Sequence, residues 1–202
     1  MEEDRTETTV TTRVIRPFKI IAIILAIIGA ILLIVAIASS VWIRAVGFYQ
    51  GLWQECFNGT RVLTTPSPGV PLPTGEPITC YKAMSSGWLH TCQAFEVVAL
   101  ILTIIGIICA IVAQVKGKSY SHFYKIGGIL LIIAALCQVI ALAVFPAKAI
   151  QEDIVLYRTN WELGWGYGMG WGVFLLQVVA GILLIFAPDK QEIYYSEKTY
   201  YQ

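Results

Sequence analysis

Charge is what this sequence has least of. Charged residues make up 13% of its 202 positions, about half the share found in a soluble chain. They are missing altogether from the interiors of four stretches: Ile20 to Val41, Val97 to Ala113, Ile126 to Phe145 and Gly168 to Ala187. Each is roughly 17 to 22 residues, long enough at 1.5 Å per residue for a helix to cross a hydrocarbon core of about 30 Å. None has the polar outer face that a helix in a soluble bundle needs, so the pattern predicts four transmembrane helices. A bilayer core offers backbone groups no water, which excludes open strands and loops at that depth. The second stretch is the shortest, and Glu96 is expected to mark its wet end.

Histidine is also scarce. The two present, His90 and His122, are expected on opposite sides of the membrane and cannot cooperate. No base is expected beside Ser85 or Ser86, no Gly-rich phosphate loop is present, and the cysteine spacing suits no zinc site. The reading is therefore a non-enzyme with no catalytic residue, metal or cofactor. A net charge of +1 gives no reason to invoke nucleic acid. A cleavable leader is not expected, because the first nineteen residues are mostly polar and the apolar run after them is too long for a signal core.

Four spans put both termini on one side. The N-terminal segment, the 2–3 loop and the tail carry nine Lys or Arg (Arg5, Arg13, Arg16, Lys19, Lys116, Lys118, Lys125, Lys190 and Lys198), against five (Arg44, Arg61, Lys82, Lys148 and Arg158) in the longer opposite loops. The positive-inside rule then assigns residues 1–19, 114–125 and 188–202 to the cytoplasm, and loops 42–96 and 146–167 to the outside. Asn58, in the sequon Asn58-Gly59-Thr60, faces the side where glycosylation occurs.

The first outer loop is too long for a mere connection. Its start, Phe48 to Phe57, is aromatic-rich with a glycine at Gly51, a composition that suits strands, and Arg61–Thr65 and Ile78–Lys82 are further candidates. Pro66 to Pro77 holds five prolines and reads as an extended loop tip. Of the five cysteines, Cys109 and Cys137 fall inside spans and read as packing residues. Cys56, Cys80 and Cys92 face the oxidising side. Cys56 and Cys80 both flank strand-like runs and are paired here, which leaves Cys92 as a thiol; Cys80 with Cys92 is the alternative. Closing a loop of about 25 residues contributes roughly 3 kcal/mol. Leu52 and Trp53 are expected to anchor the folded loop on the rim of the bundle.

These residues carry a resemblance. Trp42 closing the first span, Gly51-Leu52-Trp53, Cys56 and Cys80, the run Gly127–Cys137, and Glu162-Leu163-Gly164 followed by Gly170-Trp171 together resemble the claudins. The wider peripheral myelin protein and epithelial membrane protein superfamily shares them. Asn160 to Trp171 and the preceding FPAKAI also resemble the transmembrane protein 47 branch. The likeness implies a membrane all-α fold, a four-transmembrane left-handed helix bundle with a small extracellular β-sheet, its strands from the first loop joined by one from the second. It also implies contact with itself and related claudin-like proteins in cis and trans, as an adhesive and paracellular barrier in a tight or septate junction of the plasma membrane. Two departures point to a divergent or invertebrate claudin-like protein: a long interval between Cys56 and Cys80, and Gln93 and Glu96 in place of an Arg at the outer end of the second helix. A third, the TYYQ terminus, counts against direct capture by cytoplasmic scaffolds. An auxiliary or trafficking subunit of a channel or receptor is the second reading.

Within the spans, Gln138 and Gln177 are the only strongly polar residues at depth. They lie about 18 Å and 15 Å from the cytoplasmic ends, depths that allow a hydrogen bond between the third and fourth helices. Small residues at Ala22, Ala26 and Ala30, and at Gly106 and Ala110, are spaced for close helix approach within one molecule. The outer charges Arg44, Glu55, Arg61, Glu76 and Lys82 are nearly balanced and set no ion preference. Tyr194, Tyr195, Tyr200 and Tyr201 stand near Glu192 and Glu197; a disordered tail is the default reading, and phosphorylation of this acidic tyrosine cluster is the alternative.

Overall fold

The computed structural model describes residues 10–15, 17–58, 78–116, 120–151, 160–186 and 193–198. Four helices dominate: α1 (Pro17–Ala38), α2 (Gly87–Lys116), α3 (His122–Gln151) and α4 (Trp165–Phe186). All four are long and apolar enough to cross a membrane. Their outward faces carry Ile21, Ile24, Ile28 and Ile31 on α1, Ile101, Ile104 and Ile108 on α2, Ile129 and Ile133 on α3, and Leu175 and Ile182 on α4. Water would penalise so much exposed apolar surface, whereas lipid does not. The inward faces are built from small residues, and the helices pack in the ring α1–α2–α3–α4.

Helix ends and apolar ends do not coincide. Helix α2 starts at Gly87, well ahead of Val97, and α3 runs on past Pro146 to Gln151. Hydropathy marks where lipid begins, while backbone hydrogen bonding decides where the helix begins. Glu96 is therefore not at a wet end. It lies inside α2 and is fully buried, because the helix turns it toward the other helices rather than toward water.

Toward the end of the bundle where α1 begins and α4 ends, backbones approach closely. A Cβ on Gly127 would stand 2.7 Å from the Gly106 carbonyl oxygen, and one on Gly128 would stand 2.8 Å from that of Gly181. Ala22, Ala26, Ala110, Ala113 and Ala180 are buried around them. On α1 the buried stripe turns from Ala26 to Gly29 and Leu33 and leaves Ala30 at its margin, as 3.6 residues per turn requires. At the same end a two-stranded antiparallel ribbon pairs β1 (Val10–Ile15) with β7 (Ile193–Lys198), Arg13 opposite Tyr195.

At the other end lies a five-stranded antiparallel sheet in the order β5-β4-β3-β2-β6, made of β2 (Ile43–Ala45), β3 (Phe48–Gln50), β4 (Gln54–Asn58), β5 (Ile78–Lys82) and β6 (Glu162–Leu163). The fifth strand comes from the segment before α4 and pairs with β2, Ile43 opposite Leu163 and Arg44 opposite Glu162. Asn160, with φ at 56°, turns the chain into it, a conformation that asparagine tolerates well. The expected strand at Arg61–Thr65 and the proline-rich stretch, with Arg61 and Glu76, lie outside the described residues, as do Tyr200 and Tyr201.

Candidate functional site

The sheet is held to the bundle by one aromatic cluster. Trp42, just past α1, is fully buried, and its indole Nε1–H donates to the Ala36 carbonyl at 2.8 Å. That carbonyl belongs to the last turn of α1, where helix acceptors lack intrahelical partners. Trp42 meets Phe145 edge-on at 5.0 Å and Tyr167 at 6.0 Å, and Trp88 closes on the other side of Phe145 at 5.8 Å. Ile43, Phe48, Leu52, Leu89, Cys92 and Leu142 complete the cluster. Each edge-to-face pair adds about 0.5–1.5 kcal/mol beyond the area it buries.

Pro146 explains one arm of this cluster. It has no N–H to give to Leu142, four residues earlier, and the Tyr167 hydroxyl donates to the Leu142 carbonyl instead, at 3.1 Å. The phenol from α4 so repairs the gap in α3.

The signature residues converge here. Gly51 and Gly164 press on the strand-side exit of α1, where a Cβ would overlap the Ser39 and Val41 carbonyls respectively. The Gly51 N–H donates to the Gln54 carbonyl, and the Gly164 N–H donates to the Trp42 carbonyl, both at 2.8 Å. Leu52 is fully buried, whereas Trp53 is 43% exposed. Leu52 packs inside the aromatic cluster, whereas Trp53 presents part of its ring outward. Arg44 and Glu162 form an exposed ion pair across β2 and β6, of a kind worth about 1 kcal/mol or less. Leu163 is exposed, and Trp171 sits half-exposed on α4 against Tyr167 and Phe174.

Cys56 and Cys80 are bonded and occupy directly opposed positions of β4 and β5. Cys92 is a buried thiol whose Sγ lies 3.8 Å from the Ala141 carbonyl; Cys109 and Cys137 are half-buried. Asn58 ends β4 opposite Ile78.

Two expectations change. Ser85 does have a base beside it: its Oγ is 3.1 Å from His90 Nε2, and His90 Nδ1 is 2.9 Å from Gln93 Oε1. The glutamine oxygen only accepts, so Nδ1 carries the proton and the Ser85 hydroxyl donates to Nε2. Gln93 Nε2 in turn donates to the Leu52 carbonyl at 2.6 Å. The four groups form a chain that ties the start of α2 to the Gly51-Leu52-Trp53 turn. His90 and Ser85 meet because the first turns of α2 bring residues five apart within reach, across the boundary between coil and helix. The second change concerns the deep glutamines. Gln138 donates to the Gly170 carbonyl of α4 at 3.2 Å, but Gln177 donates to Thr103 Oγ1 of α2 at 2.8 Å. Each amide joins a different pair of helices, and Thr103 was the partner that hydropathy alone did not single out.

Among the described residues no group of three or more His, Cys, Asp or Glu is placed to hold a metal ion. The arrangement ties a disulfide-stapled sheet to the four helices and leaves its outer face exposed.

A model of the PMP-22/EMP/MP20/Claudin family matches residues 17–184. The chain is 29% identical over 173 residues to a zebrafish (Danio rerio) protein named p53 apoptosis effector related to PMP-22, covering 83% of each chain. It is 27% identical over 168 residues to the human lens fiber membrane intrinsic protein, covering 79% of this chain and 85% of that one. The bovine lens protein is 26% identical over 174 residues, covering 82% and 88%.

Proposed function

Because the chain belongs to the PMP-22/EMP/MP20/claudin family of membrane proteins, we propose that it is a structural component of cell–cell junctions, of tight or septate type. In this reading it lies in the plasma membrane at lateral contacts, with both termini cytoplasmic and the five-stranded sheet outside. The sheet meets the same sheet on neighbouring molecules, in one membrane and across the gap, and so limits paracellular diffusion.

The observation that carries this reading is the apolar surface at the sheet end. Val46, Trp53, Ile78, Met84 and Trp161 are all exposed there, on a sheet that a disulfide and an aromatic cluster hold rigid. Large apolar groups on a rigid, water-facing platform favour association with a matching surface. Among the described residues β5 is the outer strand on one side of the sheet. The excess of Lys and Arg on the termini side supports the orientation, and it places Asn58 where glycosylation occurs. Cytoplasmic scaffolds would meet the tail.

The test is direct. Tagged protein in an epithelium should concentrate at lateral contacts, and its depletion should raise leakage of an extracellular tracer. A uniform surface distribution with an intact barrier would refute the junction reading and favour an auxiliary role beside a channel or receptor.

A further inference from the structure

Beneath the aromatic cluster the interior of the bundle turns polar, and its donors are too few. Among the described residues, the buried side-chain atoms of the helices that lack a hydrogen-bond partner are Glu96 Oε1, Glu96 Oε2, Gln138 Oε1 and Gln177 Oε1. All four are oxygens. The donors nearby are committed: Gln138 Nε2 to the Gly170 carbonyl, Gln177 Nε2 to Thr103 Oγ1, the Thr103 hydroxyl to the Ala99 carbonyl, and the Cys92 thiol to the Ala141 carbonyl. Reversing either amide would free its N–H donors only by breaking an existing bond and turning its oxygen toward another oxygen, the Gly170 carbonyl or the Thr103 hydroxyl that already donates to Ala99.

Helices α2 and α3 run antiparallel, and two contacts fix their register. Cys92 Sγ lies 3.8 Å from the Ala141 carbonyl, and the Cβ position of Gly106 lies 3.0 Å from the Gly127 carbonyl. Between these points Glu96 falls level with Cys137 and Gln138. An ion pair is not available to it. The only buried cation among the described residues is Lys19, which sits at the opposite end of the bundle with its Nζ 4.5 Å above the Tyr124 ring. Cys92, one turn before Glu96 on the same helix, donates to Ala141 and offers no charge.

We propose that Glu96 is a buried proton-binding site whose carboxyl O–H donates to Gln138 Oε1, so that the chain Glu96–Gln138–Gly170 joins α2, α3 and α4. A carboxylate would bring acceptor sites only into an interior already rich in acceptors, whereas the acid brings an O–H donor to a level whose other free donor among the described residues is the weak, half-buried Cys137 thiol. Burial of an unpaired carboxylate is costly, so closing the bundle at this level and retaining the proton are one event. The site lies on the same helix as Trp88, Leu89 and Cys92 of the aromatic cluster. Loosening that cluster would let water reach the acid.

Infrared spectroscopy of the full chain in lipid nanodiscs at neutral pH tests this. The chain has 13 Asp and Glu residues, of which Glu55 in β4 is buried as Glu96 is, so E55Q serves as the control; water-exposed carboxyls are ionised at that pH, outside the carboxylic-acid C=O region. The wild type should show a carboxylic-acid band that shifts down in heavy water, persists in E55Q, is lost in E96Q and moves to higher wavenumber in Q138L. No acid band in the wild type would overturn the site, and so would an acid-region spectrum that E96Q leaves unchanged. Absence of the band together with a melting temperature that depends on sodium rather than choline would replace the proton with a metal cation. A band unmoved in Q138L would overturn Gln138 as its acceptor. The wild-type spectrum decides the first question even if E96Q does not fold.

Discussion

At the sheet end the helices meet through Trp42, Phe145, Trp88 and Tyr167, while toward the termini they meet through Ala22, Ala26, Ala110, Gly127 and Gly128. The first packing uses ring edges and borrowed carbonyls; the second uses direct backbone contact. Large rings keep helices apart and leave room for a sheet to rest its own apolar side chains between them. Glycine and alanine let helices touch, which in lipid supplies van der Waals contact where no hydrophobic drive exists. One bundle thus combines a seat for an attached sheet with a tight stem.

The difference can be broken from either side. Trp42→Ala should have the largest effect, a loss of about 3–5 kcal/mol, because it removes the ring that fills the seat and the donor to Ala36. It should also admit a water-soluble maleimide to Cys92, which is buried in the cluster. If Cys92 stays unlabelled in that variant, the seat does not depend on Trp42. Gly128→Ala comes next, at about 1–3 kcal/mol from overpacking, since the new methyl would meet the Gly181 carbonyl and Ile185. It should lower the melting temperature of the detergent-solubilised protein while leaving Cys92 protected, so that the two ends are disrupted separately. The smallest effect is expected for Gln177→Leu, about 0.6–2 kcal/mol. The Thr103 hydroxyl keeps its bond to Ala99, and a melting temperature that falls as far as in Gly128→Ala would show that the polar contact, not close packing, holds the stem.

Much of this was legible in the sequence, for reasons that differ by residue. Four uncharged runs announce four helices because a bilayer leaves no other way to satisfy the backbone. Cys56 and Cys80 were readable as partners from the strand-like runs beside them. Leu52 and Trp42 stood out with their motif. Strand β2 did not, because three residues with one charged side chain carry no period, and β6 has only two. The third uncharged run stops at Phe145, one residue before Pro146, whereas α3 continues to Gln151; the donor Pro146 lacks is made good by Tyr167, a residue from another helix that no local pattern could supply.

Glu96 shows the limit most clearly. Its position beside an apolar run suggested water, since an isolated helix would place a carboxylate there. Whether it meets water depends on the rotation of α2 against α3, which Gly106, Gly127 and the Cys92–Ala141 contact set together. The depths of Gln138 and Gln177 were likewise readable from rise per residue, but their partners were not. Composition and order determined that this chain spans a membrane four times and carries a stapled loop, because hydrophobic length and cysteine position are properties of the chain alone. Only the tertiary structure decided which side chains seat the sheet and which acid is sealed inside. Those facts depend on distances between segments far apart in sequence, set by how closely each pair of helices can approach.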